Sequence, residues 1–159
     1  MSRLALTAAT FALVLAQSAP FARAQTLNAP PAQPFMARAS VSVANDSPVP
    51  QTVAGTNVAP FELLPHQQAQ LDMSAAPPPA AAAPGASVPV RFEYSVGQGA
   101  GPQCHGTIDM SLSTQGSMAN NYQVTDCVAH SLGTNGADCH IAVKAQNAAC
   151  QGGLAFSAR

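Results

Sequence analysis

The sequence predicts an all-β protein, a small antiparallel β-sandwich stabilised by disulfides. Three observations lead there. Apolar and polar residues alternate with a period of two in several short segments, most clearly where Val88, Val90, Phe92, Tyr94 and Val96 oppose Arg91, Glu93 and Ser95. Turn residues separate these segments. All four cysteines lie at or beyond position 104 in a chain whose start reads as an export signal.

The first 25 residues read as an export signal. Arg3 supplies a positive start, residues 4–16 form a compact apolar run, and Pro20 breaks any helix. Ala22-Arg23-Ala24 then places small residues where a signal peptidase reads them, so cleavage is expected between Ala24 and Gln25. A membrane span needs about 20 apolar residues, more than this run holds. No membrane anchor is therefore expected after cleavage.

Residues 25–37 contain three prolines and read as an extended, solvated arm. The sandwich is expected over 38–159, as one domain with a Pro/Ala-rich loop at 74–87. Within it, Ala39, Val41 and Val43 alternate with Ser40 and Ser42, and Asn45-Asp46-Ser47-Pro48 signals a turn. Phe61 to Leu63, and then Ala69, Leu71 and Met73, predict two short strands about a Leu64-Pro65-His66 bend. These strands are too few to hold a core alone, so they should pack on the strands beyond Ser87. A different organisation would leave the N-terminal half unordered and fold only 87–159.

After the strand at 88–96 comes a glycine-rich loop at 97–101. Ile108, Met110 and Leu112 mark one apolar face, and Tyr122, Val124 and Val128 another. Asn135-Gly136 can take the positive φ of a hairpin turn. Ile141 and Val143 continue the pattern, Leu154 and Phe156 close it, and a single helical turn is expected at 144–149.

An oxidising compartment would pair Cys104, Cys127, Cys139 and Cys150 into two disulfides. A hairpin turning near Gln115-Gly116 favours Cys104–Cys127, and the helical turn favours Cys139–Cys150. The first pair needs a one-residue bulge, because Cys104 shares parity with Ile108 whereas Cys127 shares parity with Gln123 and Thr125. Cysteine spacings do not match zinc modules, and adjacent Cys-His residues on a strand point to opposite faces.

Composition excludes several functions. Charged residues are 8% of the chain and its formal charge is −1, so no nucleic-acid partner and no coiled coil is expected. His66, His105, His130 and His140 are scattered. His105, Thr107 and Asp109 share one strand face, but no nucleophile motif stands near them. The loop at 97–101 lacks the Gly-Lys-Ser/Thr ending of a phosphate loop and precedes a strand. Glu62 and Glu93 are the glycosidase candidates, weakened by the absence of tryptophan for a stacking platform. Met73 and Met110 fall on apolar faces and read as core. The expectation is therefore an exported, periplasmic or secreted, non-enzymatic structural or protein-interaction module. It would meet a protein partner by edge-strand or surface contact, without a cofactor, metal or catalytic site. Its rivals are a small metal-binding protein and a hydrolase using His105 with Asp109.

Overall fold

The computed structural model describes residues 35–78, 85–114 and 122–158, all within one compact unit spanning Gln33–Arg159. Among them the strands are β1 (Ala37–Asn45), β2 (Gln51–Gly55), β3 (Val58–Leu63), β4 (Gln68–Ala75), β5 (Ser87–Gly97), β6 (Gln103–Thr114), β7 (Tyr122–Thr134), β8 (Ala137–Gln146) and β9 (Ala149–Ala158). They form two sheets, ordered β4-β1-β9-β8 and β3-β2-β5-β6-β7. Every ladder is antiparallel except β1 against β9. The all-β sandwich and its two disulfides are thus present. The predicted cleavage site at Ala24 and Gln25 and most of the proline-rich arm lie outside the described residues.

Alternation on the strands builds the core. Val41, Val43, Leu71, Met73, Leu154 and Phe156 line the four-stranded sheet, and Val53, Phe92, Val96, Ile108, Met110 and Leu112 line the other. All are essentially buried, and each such side chain contributes about 1.5–3 kcal/mol relative to exposure. The expected faces on β1, β4, β5 and β6 appear with the expected residues. β2 escaped the sequence reading because Gln51-Thr52-Val53 offers one large apolar residue. β1 starts at Ala37, and Phe35 rests on Tyr122 with ring centroids 4.9 Å apart, so the C-terminal end of the expected arm lies against the sandwich.

The expected helical turn and the expected apolar face of Val128 are not found. The helical turn at 144–149 is absent: β8 runs to Gln146, and Asn147-Ala148 form a two-residue turn with φ of 50° and 60°. This is the backbone twist that suits a tight hairpin between right-twisted strands. On β7 the register shifts, with Ser111 opposite Asp126 but Leu112 opposite Val124. Thr125 is the extra residue of a bulge, which reverses parity beyond it. Cys127 turns into the core, and Val128, expected on the apolar face, is exposed.

At one end of the sandwich the turn after β1 is held by a buried polar knot. The Asn45 amide donates to the carbonyls of Val49, Leu63 and Leu64, while its oxygen accepts from the Ser47 backbone and hydroxyl. Gln51 donates to the Ser47 hydroxyl. The knot fixes the turns on both sides and leaves no buried side-chain polar atom unpaired among the described residues.

Candidate functional site

The cysteines cross-link the two sheets. Cys104 on β6 joins Cys139 on β8, and Cys127 on β7 joins Cys150 on β9, with Cα separations of 6.0 and 5.8 Å. The expected pairings, Cys104–Cys127 and Cys139–Cys150, are therefore corrected. The bulge invoked for the first exists, but register forbids the bond. Cys104 lies opposite Gly133, and Cys127 opposite Met110, an offset of about 20 Å along the strand. The β8–β9 ladder gives the same offset, with Cys139 opposite Phe156 and Cys150 opposite Ala145. A bridge within a hairpin is thus out of reach, whereas the facing sheet brings a partner within bonding distance. Gly133, opposite Cys104, has no side chain: a Cβ there would overlap the Ala137 carbonyl oxygen and stand 3.2 Å from the Cys139 sulfur.

The outer face of the five-stranded sheet carries the expected acid and base candidates and separates them. Arg91 and Asp109 sit directly opposite each other on β5 and β6. The Arg91 Nε donates to Asp109 at 2.6 Å and its terminal nitrogen donates at 3.3 Å. The hydrogen bond to Asp109, and then its charge, raise the Arg91 pKa above the ordinary guanidinium value. His105 is not drawn to Asp109: four residues of strand put them about 13 Å apart, and the His105 ring meets the Gln103 side chain at 2.8 Å.

Register gives His105 other neighbours. It stands opposite Ser95, one step diagonally from Glu93, and the three line a shallow hollow of about 370 Å³ where β2 ends. Thr56 shapes the rim by accepting from the Glu93 backbone N–H at 2.7 Å. This grouping was not visible in sequence, since it depends on which residues face each other across β5 and β6. It holds a hydroxyl, an imidazole and a carboxylate on an open surface. Glu62, at the far end of β3, lies about 16 Å from Glu93 by strand spacing, well beyond the about 9.5 Å limit for paired glycosidase carboxylates.

The remaining histidines stay dispersed. His66 occupies the turn before β4 with φ of 57°, and His140 pairs with Asp138 at 3.3 Å on the surface of β8. Among the described residues no three His, Cys, Asp or Glu side chains gather as a metal cage. Tyr94 is perturbed as well as Arg91: burial pushes its phenol up to about 12, against a smaller opposing effect of the Ser131 hydroxyl.

The outer face of the four-stranded sheet is different in character. Asp72, Ser40, Gln151 and Lys144 fall in one row across β4, β1, β9 and β8. Ser40 donates to the Asp72 carboxylate and accepts from the Gln70 amide. Two hollows of about 550 and 350 Å³ open on this face and share Ser40 and Gln151.

No family model, curated protein or solved structure matches this chain. Among the described residues no helix is long and apolar enough to cross a membrane. The two disulfides are consistent with an oxidising environment outside the cytosol.

Proposed function

We propose that this chain is an exported, non-enzymatic interaction module, released to the periplasm or beyond after cleavage between Ala24 and Gln25, that takes a partner strand along β4. One observation carries the reading: β4 is a terminal strand of its sheet, eight residues long, without proline and without a register shift in its ladder to β1. Proteins blunt such edges when they must stay solitary, and an open one is a template for strand addition. The other edges are modified. β3 contains Pro60, β7 carries the bulge, and β8 has its Cys139 carbonyl occupied by the Ser131 hydroxyl at 3.0 Å. On β4 the Asn57 amide caps the Ser74 carbonyl at 2.7 Å, which marks one end of the open stretch. The paired sulfurs favour an interaction role over thiolate metal binding, because a disulfide cannot ligate as a thiolate does.

The test is site-specific photocrosslinking in the exporting host, with the reactive group at Gln68 and a control at Ser111 on the other sheet. A discrete adduct from Gln68 alone, with slowed amide exchange along β4 in the captured complex, is the expected result. Adducts of equal yield from Ser111, or none from β4, would sink the proposal.

A further inference from the structure

The outer face of the four-stranded sheet presents side chains rather than a strand edge, and what it can bind stands independently of the strand-addition reading. Its composition is unusual for this chain. Only 8% of the residues are charged, yet Arg38, Asp72 and Lys144 all line the two joined hollows. Between them stand the amides of Gln70, Gln146 and Gln151. Neither Arg38 nor Lys144 belongs to an ion pair among the described residues. In a chain with formal charge −1, these hollows carry an excess of one positive charge.

We propose that this face binds a carboxylate-bearing oligosaccharide. Asp72 and Lys144 are three strand spacings apart, about 14 Å, a span that two to three sugar rings cover. Carboxamide and carboxylate side chains each offer two polar atoms to neighbouring hydroxyls. Asp72, oriented by Ser40, and Gln151 supply these in the row, and Gln70 and Gln146 supply them beside it. Arg38 and Lys144 answer ring carboxylates with charge-assisted hydrogen bonds. The outward positions beside them are small, such as Ser42, Ala142 and Gly153, which leaves a flat bed for a chain lying across the strands. A protein partner suits this face poorly. Protein interfaces are anchored by buried aromatic and aliphatic side chains, and none of the large exposed hydrophobics lies on an outward position of these four strands. Aromatic stacking is absent too, so binding rests on hydrogen bonds and charge, and weakens as salt rises.

The measurement is a titration of the isotope-labelled protein, residues 25–159 with both disulfides formed, followed by amide chemical shifts. Trigalacturonate and its neutral counterpart maltotriose are the probes. Trigalacturonate should move the signals of Ser40, Lys144 and Gln151, and added salt should reverse the shifts. Lys144→Gln and Arg38→Gln change exposed side chains and should each weaken binding by about fivefold, as loss of one surface charge contact does, with the rest of the spectrum unchanged. Equal shifts with maltotriose would overturn the acidic assignment. No shift on this face with either sugar would overturn the site itself. The crosslinker at Gln68 lies outside both hollows, so either proposal can fail alone.

Discussion

Tyr94 donates its phenol hydroxyl to the His130 carbonyl oxygen, 3.1 Å away, across the intervening strand β6. The path is open because Gly106, opposite Tyr94, has no side chain: a Cβ there would overlap both the Tyr94 hydroxyl and the His130 carbonyl. The bond ties β5 to β7 over the bare backbone between them. Tyr94 also borders the outer-face hollow of His105, Ser95 and Glu93.

Removing this tie should be measurable in two ways. Tyr94→Phe deletes one hydrogen bond and should cost about 1 kcal/mol. Gly106→Ala forces the ring or strand aside and should cost about 1–3 kcal/mol. Urea unfolding at neutral pH compares them, and a Gly106→Ala midpoint equal to wild type would refute the crossing geometry.

The same phenol predicts an alkaline limit. Burial raises Tyr94 to about 12 in the folded chain, against about 10 unfolded. The folded state therefore holds this proton more tightly. Its stabilising contribution is complete below about pH 10 and is lost as pH climbs through about 12. Tyr94→Phe should remove that part of the alkaline decline, read from melting temperatures across the range.

The disulfides make a connectivity claim and an energetic one. Non-reducing peptide mapping should recover Cys104 linked to Cys139 and Cys127 linked to Cys150. The bridges span 35 and 23 residues of sequence, and the chain-entropy model assigns each about 3–4 kcal/mol, slightly more for the longer loop. Cys104→Ser with Cys139→Ser should thus lower the urea midpoint at least as much as Cys127→Ser with Cys150→Ser. For a core poor in large side chains either loss is a large share of the about 5–15 kcal/mol typical of a domain. Recovery of a Cys104–Cys127 peptide would contradict the register of β6 and β7.

These strands show what the sequence could and could not convey. Period-two alternation identified the inner faces of β1, β4, β5 and β6, because each residue's face follows from its neighbours two positions away. Cystine pairing depends instead on ladder register, which for β6 and β7 shifts at the Thr125 bulge. Parity alone showed that a bulge was needed, but it could not say how far the strands slide. The His105 grouping was hidden for the same reason: Asp109 is its neighbour in sequence, while Ser95 is its neighbour across the ladder. The row of Asp72, Ser40, Gln151 and Lys144 joins four strands distant in sequence, including a parallel pair, and no local pattern carries that.

Asn45 makes the strongest case for a polar residue that folds the chain. Three carbonyls accept from its single amide nitrogen. Asn45→Ala strands several buried groups, each costing about 1–3 kcal/mol, and should lower the urea midpoint more than Tyr94→Phe. Asn45→Asp tests the direction of the bonds. An ionised carboxylate would face carbonyl oxygens where the donor stood, so its folded pKa should rise above the unfolded value of about 3.9. The variant should be least stable at neutral pH and regain stability as pH falls through that raised value. A variant equally stable at both ends would mean that the amide is not the donor.

Ala148 offers the opposite kind of change, one that should help. It adopts φ of 60° beside Asn147 at 50°, and a left-handed conformation costs an ordinary L-residue about 1–2 kcal/mol. Ala148→Gly relieves that cost and creates Asn-Gly, the pair best suited to a two-residue hairpin with both φ positive. Part of the gain is returned through the greater freedom of glycine in the unfolded chain, leaving a net stabilisation of roughly 0.5–1 kcal/mol. The side chain is exposed at the tip between β8 and β9, so no packing is lost. A higher urea midpoint with an unchanged denaturant slope is expected. A lower midpoint would favour a helical turn over residues 144–149, since glycine weakens a helix but suits this hairpin.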